Sequence, residues 1–222
     1  MAARVTLASR FSWIARENLE RALACEEELK ALRIRLQGLR GDKATEFQHS
    51  QVSPLDDKQA THCLIAIVFA ALAAEARIHD YASWKLGDTF ATKHLDRVDL
   101  ISKLVIATKL ATGEDFPKGG RAFQSLSQLI KNRNQIVHAK SAPIVITESP
   151  SGLGAAADSR VDFFHSLLEN AQEAIEALDE LIEVMQKLHP DELTKLWFAE
   201  VDGKHDEVRV LDGSQDLEVE AC

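Results

Sequence analysis

The chain has 222 residues, 45% of them hydrophobic and 27% charged, with a formal net charge of −9. That length holds one domain with extensions, and the low aromatic content of 6% beside abundant Ala and Leu favours helix over sheet. The acidic balance excludes a surface that attracts nucleic acid as a whole, so any RNA contact has to come from a local basic patch. Residues 4–39 read as one long charged helix, in which Trp13, Leu19, Leu23, Leu32, Leu36 and Leu39 recur loosely between Arg and Glu. Such a helix offers a narrow apolar stripe for packing on the domain or on a second subunit. Gly41 ends it, and the polar stretch 41–57 reads as a loop.

Pro54, Asp56 and Asp57 suit the start of a core helix over 57–86. Its middle, Cys63 to Ala74, is apolar all round, and Gly87 supplies a stop. A third helix is predicted over 95–112, with Val98, Ile101, Leu104, Val105 and Thr108 on one face and Gly113 at its end. Pro117, Gly119 and Gly120 make 114–120 a loop. A fourth helix follows over 121–137. Pro143, Pro150, Gly152 and Gly154 make 141–158 the clearest break in the chain, read as a mobile loop. Within it, Ile144 to Thr147 has the composition of one short strand with no obvious partner.

The fifth helix, over 159–188, is the most regular. Val161, Phe164, Leu168, Ala171, Ile175, Leu178, Ile182 and Met185 alternate spacings of three and four, a seam for antiparallel bundle packing. Pro190 ends it, and Leu196, Trp197 and Phe198 suit a short further helix. The acidic remainder from about Asp202 is expected to fray. The expected organisation is all-α: an N-terminal helix and loop over 1–56, a bundle of four core helices over 57–188, and a C-terminal extension over 189–222.

Cys25, Cys63 and Cys222 are odd in number and form no C-x-x-C pair, which reads as free thiols in a reducing cytoplasm. The eight histidines show no ligand spacing, so no metal site and no cofactor are expected. The longest uncharged run, Cys63 to Ala74, is too short to span a bilayer. Arg4, Arg10 and Arg16 are followed at once by Glu17 and Glu20, without a secretory pattern. The expected location is cytoplasmic, away from membranes.

The fourth helix breaks its own pattern. Its apolar positions are Phe123, Leu126, Leu129, Ile130, Ile136 and Val137, and Arg133 sits in the centre of that stripe. Burying a guanidinium without a partner costs several kcal/mol. Arg133 therefore pairs with a carboxylate, faces a cavity, or holds an anion at an interface. Asn134 and His138 are one turn apart and share a face. Arg133 and His138 are separated by roughly 140° on an ideal helix, so they converge only if the helix ends near His138 or two copies meet. Lys131 and Lys140 make the surroundings basic.

The stretch Arg133-Asn134-Gln135-Ile136-Val137-His138 resembles the R-x4-6-H signature of the HEPN superfamily, in which Asn commonly follows the Arg. The resemblance covers about 57–188, with the motif at the end of a core helix and another long helix after it. Ala-Glu-Ala around Glu75, Leu95-Asp96 through Lys103, and Phe116-Pro117-Lys118 are similar to bacterial proteins ending in R-N-x-x-V-H-x-K. The resemblance implies a metal-independent endoribonuclease, working as a homodimer whose two motifs face each other, in the manner of toxins and antiviral effectors. An antitoxin protein is then a possible partner. It assigns phosphate binding to Arg133, proton transfer to His138 and orientation to Asn134, with Glu75, Lys131 and Lys140 in support. The same residues also admit a structural reading. His138 then caps a helix end, Asn134 is a buried amide, and Glu75 forms a plain salt bridge with Arg133 in a non-catalytic binding or dimerisation module. An unrelated helical bundle is the third reading. Exposure of Arg133 and His138 to a shared cleft separates the enzyme from the module.

Overall fold

Residues 7–138, 146–149, 152–155, 163 and 166–188 are described by the computed structural model. The first helix, α1, spans Ala8–Gln37 and buries Ala8, Ser12, Ala15, Asn18, Ala22, Cys25 and Leu29. Residues 8, 15, 22 and 29 are seven apart, the spacing of a helix–helix seam. Of the large residues that recur in the sequence, Trp13, Leu19, Leu32, Leu36 and Leu39 are half-buried and Leu23 is 37% exposed. Small side chains line the contact because the partner helix approaches closely.

That partner, α2, spans Ser53–Leu86. Cys63, Ala66, Ile67, Ala70, Ala73, Ala74, Ile78 and Tyr81 are all buried along it. It runs antiparallel to α1, because ascending positions on one meet descending positions on the other. Asn18 Oδ1 lies 2.9 Å from His62 Nδ1, Glu26 accepts from Gln59 at 2.9 Å, and Arg33 donates to Asp56 at 2.9 Å. Cys25 and Cys63 are free and buried in this contact. Burial, reinforced by Cys25, pushes the Cys63 thiol up to about 11, which leaves it unreactive at neutral pH.

The stretch 41–57, read above as a loop, is helical. A short helix over Asp42–Phe47 passes through a π turn at Gln48–Val52 directly into α2. Gly41, at φ 56°, separates it from α1. The π turn has a local cause. Pro54 has no N–H to return to the preceding turn, and the Ser53 N–H reaches five residues back to the Gln48 carbonyl. The continuous helix over Asp42–Leu86 is, among the described residues, the one long and apolar enough to cross a membrane, and half of its most apolar window is buried inside the protein.

The third long helix, α3, spans Leu100–Thr112, starting five residues later than the apolar pattern suggests. Asp99 caps it, its side chain accepting from the Ser102 N–H at 3.0 Å. The preceding residues form a short turn at Asp88–Phe90 and a π turn at Ala91–Leu95. Gly113, in the left-handed conformation, ends α3.

Helix α4 spans Arg121–Val137 and α5 spans Leu167–Leu188. They pack antiparallel, with Arg121 on Glu176 and Glu180, and Asn132 on Asn170. The predicted seam of α5 is buried at Ala171, Ile175, Leu178, Ile182 and Met185. Ala174, Ala177 and Leu181 are buried as well, because α5 packs against α1, α2 and α4 together. Ser166 forms a turn before α5. Val161 and Phe164 lie outside the described residues.

The break at 141–158 carries an antiparallel pair, Ile146–Ser149 with Gly152–Ala155, in the register Ile146 to Ala155 and Ser149 to Gly152. The short strand anticipated at 144–147 thus has a partner six residues on, and a wholly loop-like segment is corrected at those positions. All other described elements are helical. The rest of that segment, the helix around Trp197 and the acidic tail lie outside the described residues.

Candidate functional site

Arg133 lies on α4 in the last full turn before the helix ends. Its Nη2 donates to Glu75 Oε2 of α2 at 3.0 Å, and its Nη1 donates to Asn134 Oδ1 at 3.0 Å. The carboxylate that an arginine in an apolar stripe demands is therefore Glu75. The pair is not sealed, since 25% of the Arg133 side chain and 46% of the Glu75 side chain stay exposed. The apolar stripe thins around it: Ile130 and Ile136 are half-buried and Val137 is 54% exposed.

Asn134 is exposed, which corrects the reading of it as a buried amide. Its position beside Arg133 lets the side-chain oxygen fix the guanidinium plane from one side while Glu75 fixes it from the other. His138 is exposed and occupies the position after the last helical residue, at φ −106° and ψ 23°. Its backbone N–H donates to the Asn134 carbonyl at 3.0 Å, closing the helix. Its imidazole has no hydrogen-bond partner among the described residues. The helix thus ends at His138. Lys131 is exposed on the preceding turn, and Lys140 lies outside the described residues. Among the described residues no three His, Cys, Asp or Glu side chains are grouped as metal ligands.

On the criterion of a shared cleft, the structure bears on exposure alone. A carboxylate holds Arg133, as in a structural pair, but solvent reaches both partners and the imidazole is not tied to backbone. Chemically, a guanidinium held on two sides keeps its remaining N–H groups for an anion, and an exposed imidazole stands five residues on.

Two further polar features escaped the sequence reading. Asn132, immediately before Arg133, is 2% exposed. Its Oδ1 accepts from Gln128 at 2.7 Å and its Nδ2 donates to Asn170 Oδ1 at 3.1 Å, and Asn170 in turn donates to the Phe163 carbonyl at 3.4 Å. This amide ladder ties the motif helix to α5. The other is Arg77 on α2, also 2% exposed, whose Nη2 donates to Ser12 Oγ at 3.4 Å. Its signal was available, because residues 70, 73, 74, 77 and 81 form one buried face.

Comparison with protein-family models, with curated proteins and with solved structures gives no match in any of the three.

Proposed function

We propose that this chain is a HEPN-type, metal-independent endoribonuclease, cytoplasmic and homodimeric, of the toxin or antiviral-defence kind, with an antitoxin protein as a further partner. The observation that carries the reading is the end of α4. There a guanidinium on a side chain 25% exposed, held by Glu75 and Asn134, lies within five residues of an exposed histidine that leaves the helix.

In this reading the scissile phosphate takes the free edge of the Arg133 guanidinium, which stabilises the charge that builds on the phosphoryl oxygens. The His138 imidazole removes the proton from the ribose 2′-hydroxyl. The 2′-oxygen attacks phosphorus, the bond from phosphorus to the 5′-oxygen of the next nucleotide breaks as that oxygen takes the proton back from the His138 imidazolium, and a cyclic phosphate remains. Asn134 keeps the guanidinium plane from rotating. Lys131 and Lys140 add local positive charge in an acidic protein. A second motif brought by dimerisation places two guanidinium and two imidazole groups around one strand.

One observation favours the alternative, a non-catalytic binding or dimerisation module: Glu75 already neutralises Arg133. The deciding experiment compares wild type with His138→Ala on a mixed single-stranded RNA, with chelator present and folding checked by circular dichroism. A loss of roughly a hundredfold or more in the variant is expected. Equal cleavage by both, or none by either at high concentration, moves the assignment to the module.

A further inference from the structure

Where α4 lies against α5, a cleft of about 300 Å³ opens beside the amide ladder. That volume is at the lower end for small-molecule sites. Its lining divides into an apolar base and a polar rim. Leu129 and Ala174 are each 2% exposed and make the floor. Gln124, Ser125, Gln128, Asn132, Glu173 and Glu176 make the rim.

The rim is rich in acceptors. Asn132 has both its oxygen and its nitrogen engaged in the ladder and fixes Gln128, whose Nε2 donates to Asn132 Oδ1 at 2.7 Å. The Gln128 carbonyl oxygen therefore has no partner among the described residues. Glu176 is engaged by Arg121 at 3.0 Å. Glu173 has no ion pair or hydrogen bond among the described residues, so its two carboxylate oxygens are open. A group that matches this wall carries adjacent N–H donors. A phosphate is excluded by the carboxylates, and an acceptor-rich ring edge is opposed by them.

We infer that the α4/α5 cleft takes an unstacked nucleobase, guanine in preference. The ring covers Leu129 and Ala174, while the N1–H and the exocyclic amine donate together to the Glu173 carboxylate. Guanine is the base whose pairing edge carries two adjacent donors, and a carboxylate accepts such a pair as a fork. Single-stranded RNA is commonly read in this way, by splayed bases bonded along their pairing edges. The placement suits the neighbouring site. Leu129 precedes Arg133 by one turn, about 6 Å along the axis, so base and phosphate would occupy adjoining faces of the same helix end. The inference rests on the ribonuclease reading for its biological meaning, but base binding itself needs no cleavage.

The test uses the full chain and free guanosine, inosine and adenosine, followed by NMR of the Asn and Gln side-chain amides. Inosine lacks the exocyclic amine, and adenosine lacks both adjacent donors. Guanosine is expected to shift the Gln128 and Asn132 signals and to bind at least tenfold tighter than either control. Glu173→Gln, at an exposed position, should lose that selectivity with the fold intact, and Ala174→Leu should block binding by filling the floor. Equal binding of the three nucleosides, or guanosine selectivity unchanged in Glu173→Gln, overturns the inference. Cleavage of RNA without guanosine selectivity removes the base site and leaves the nuclease. Guanosine selectivity without cleavage does the reverse.

Discussion

Arg133 and Glu75 meet at 3.0 Å between α4 and α2, yet solvent reaches both side chains. A pair this exposed contributes about 0–1 kcal/mol, so stability alone gives little reason for it. Its effect on an incoming phosphate is larger, because the carboxylate competes for the same guanidinium. Glu75→Gln keeps a hydrogen-bonding oxygen beside Arg133 and removes the competing charge. Single-stranded RNA should then bind several-fold tighter, with a steeper salt dependence, measured by fluorescence anisotropy across a salt series. Weaker binding in Glu75→Gln would show that the carboxylate orients the guanidinium rather than competing for it.

The amide ladder makes a different prediction, about stability. Asn132→Leu is close in volume but removes both a donor and an acceptor from a site 2% exposed. The Gln128 amide and the Asn170 oxygen lose their partner. The cost of buried polar groups left unpaired is about 1–3 kcal/mol. Urea unfolding should show a lower midpoint at unchanged slope. Replacing Asn170 by Leu as well should recover part of the loss, since an apolar pair leaves fewer orphaned groups. A double variant as unstable as the sum of the two singles would refute the coupling.

What the sequence made legible depended on how unlike its surroundings a residue was. Arg133 stood out because a permanent charge interrupts an apolar stripe, and that anomaly led to Glu75. The regular spacing of α5 translated directly into burial at Ala171, Leu178 and Met185. Asn132 was illegible for the opposite reason: a neutral amide beside an arginine reads as ordinary polar surface, and its partner is 38 positions away. The stripe of large residues named on α1 proved half-buried, except for the exposed Leu23, and the tightest contact lies on small residues beside it. A closely approached helix buries Ala15 and Ala22 completely and leaves Leu23 outside. The apolar pattern put the start of α3 too early, because the Asp99 side chain accepts from the Ser102 N–H and fixes the first turn there.

That cap also carries a pH signature. The Asp99 carboxyl is held below its ordinary range by the hydrogen bond from Ser102. A carboxyl depressed in the folded state contributes stability that is fully present above its unfolded value of about 3.9. The contribution is lost as pH falls through the lower folded value. Asp99→Ala should therefore cost about 1 kcal/mol at neutral pH. The gap between wild type and variant should stay constant from neutral to mildly acidic solution and shrink below about pH 4. Asp99→Ser, which caps without ionising, should show no such change. A gap that widens on acidification would contradict the assignment; chemical denaturation at a series of pH values measures it.

The last prediction concerns assembly, on which the proposed chemistry depends. Val137 is 54% exposed at the end of α4, between the exposed Asn134 and the exposed His138. An apolar residue in that place is what a two-fold contact between two motif ends would cover, and such a contact is the same patch on both copies. Light scattering should give wild type twice the chain mass. Val137→Glu puts a carboxylate opposite its own copy and should give the single chain mass, with the helical circular dichroism retained. RNA cleavage should fall with the dimer, even though Arg133, Asn134 and His138 are all present in each monomer. A wild-type monomer at every concentration sinks the homodimer. A Val137→Glu protein that stays dimeric and active places the contact elsewhere and removes the two-motif cleft from the mechanism.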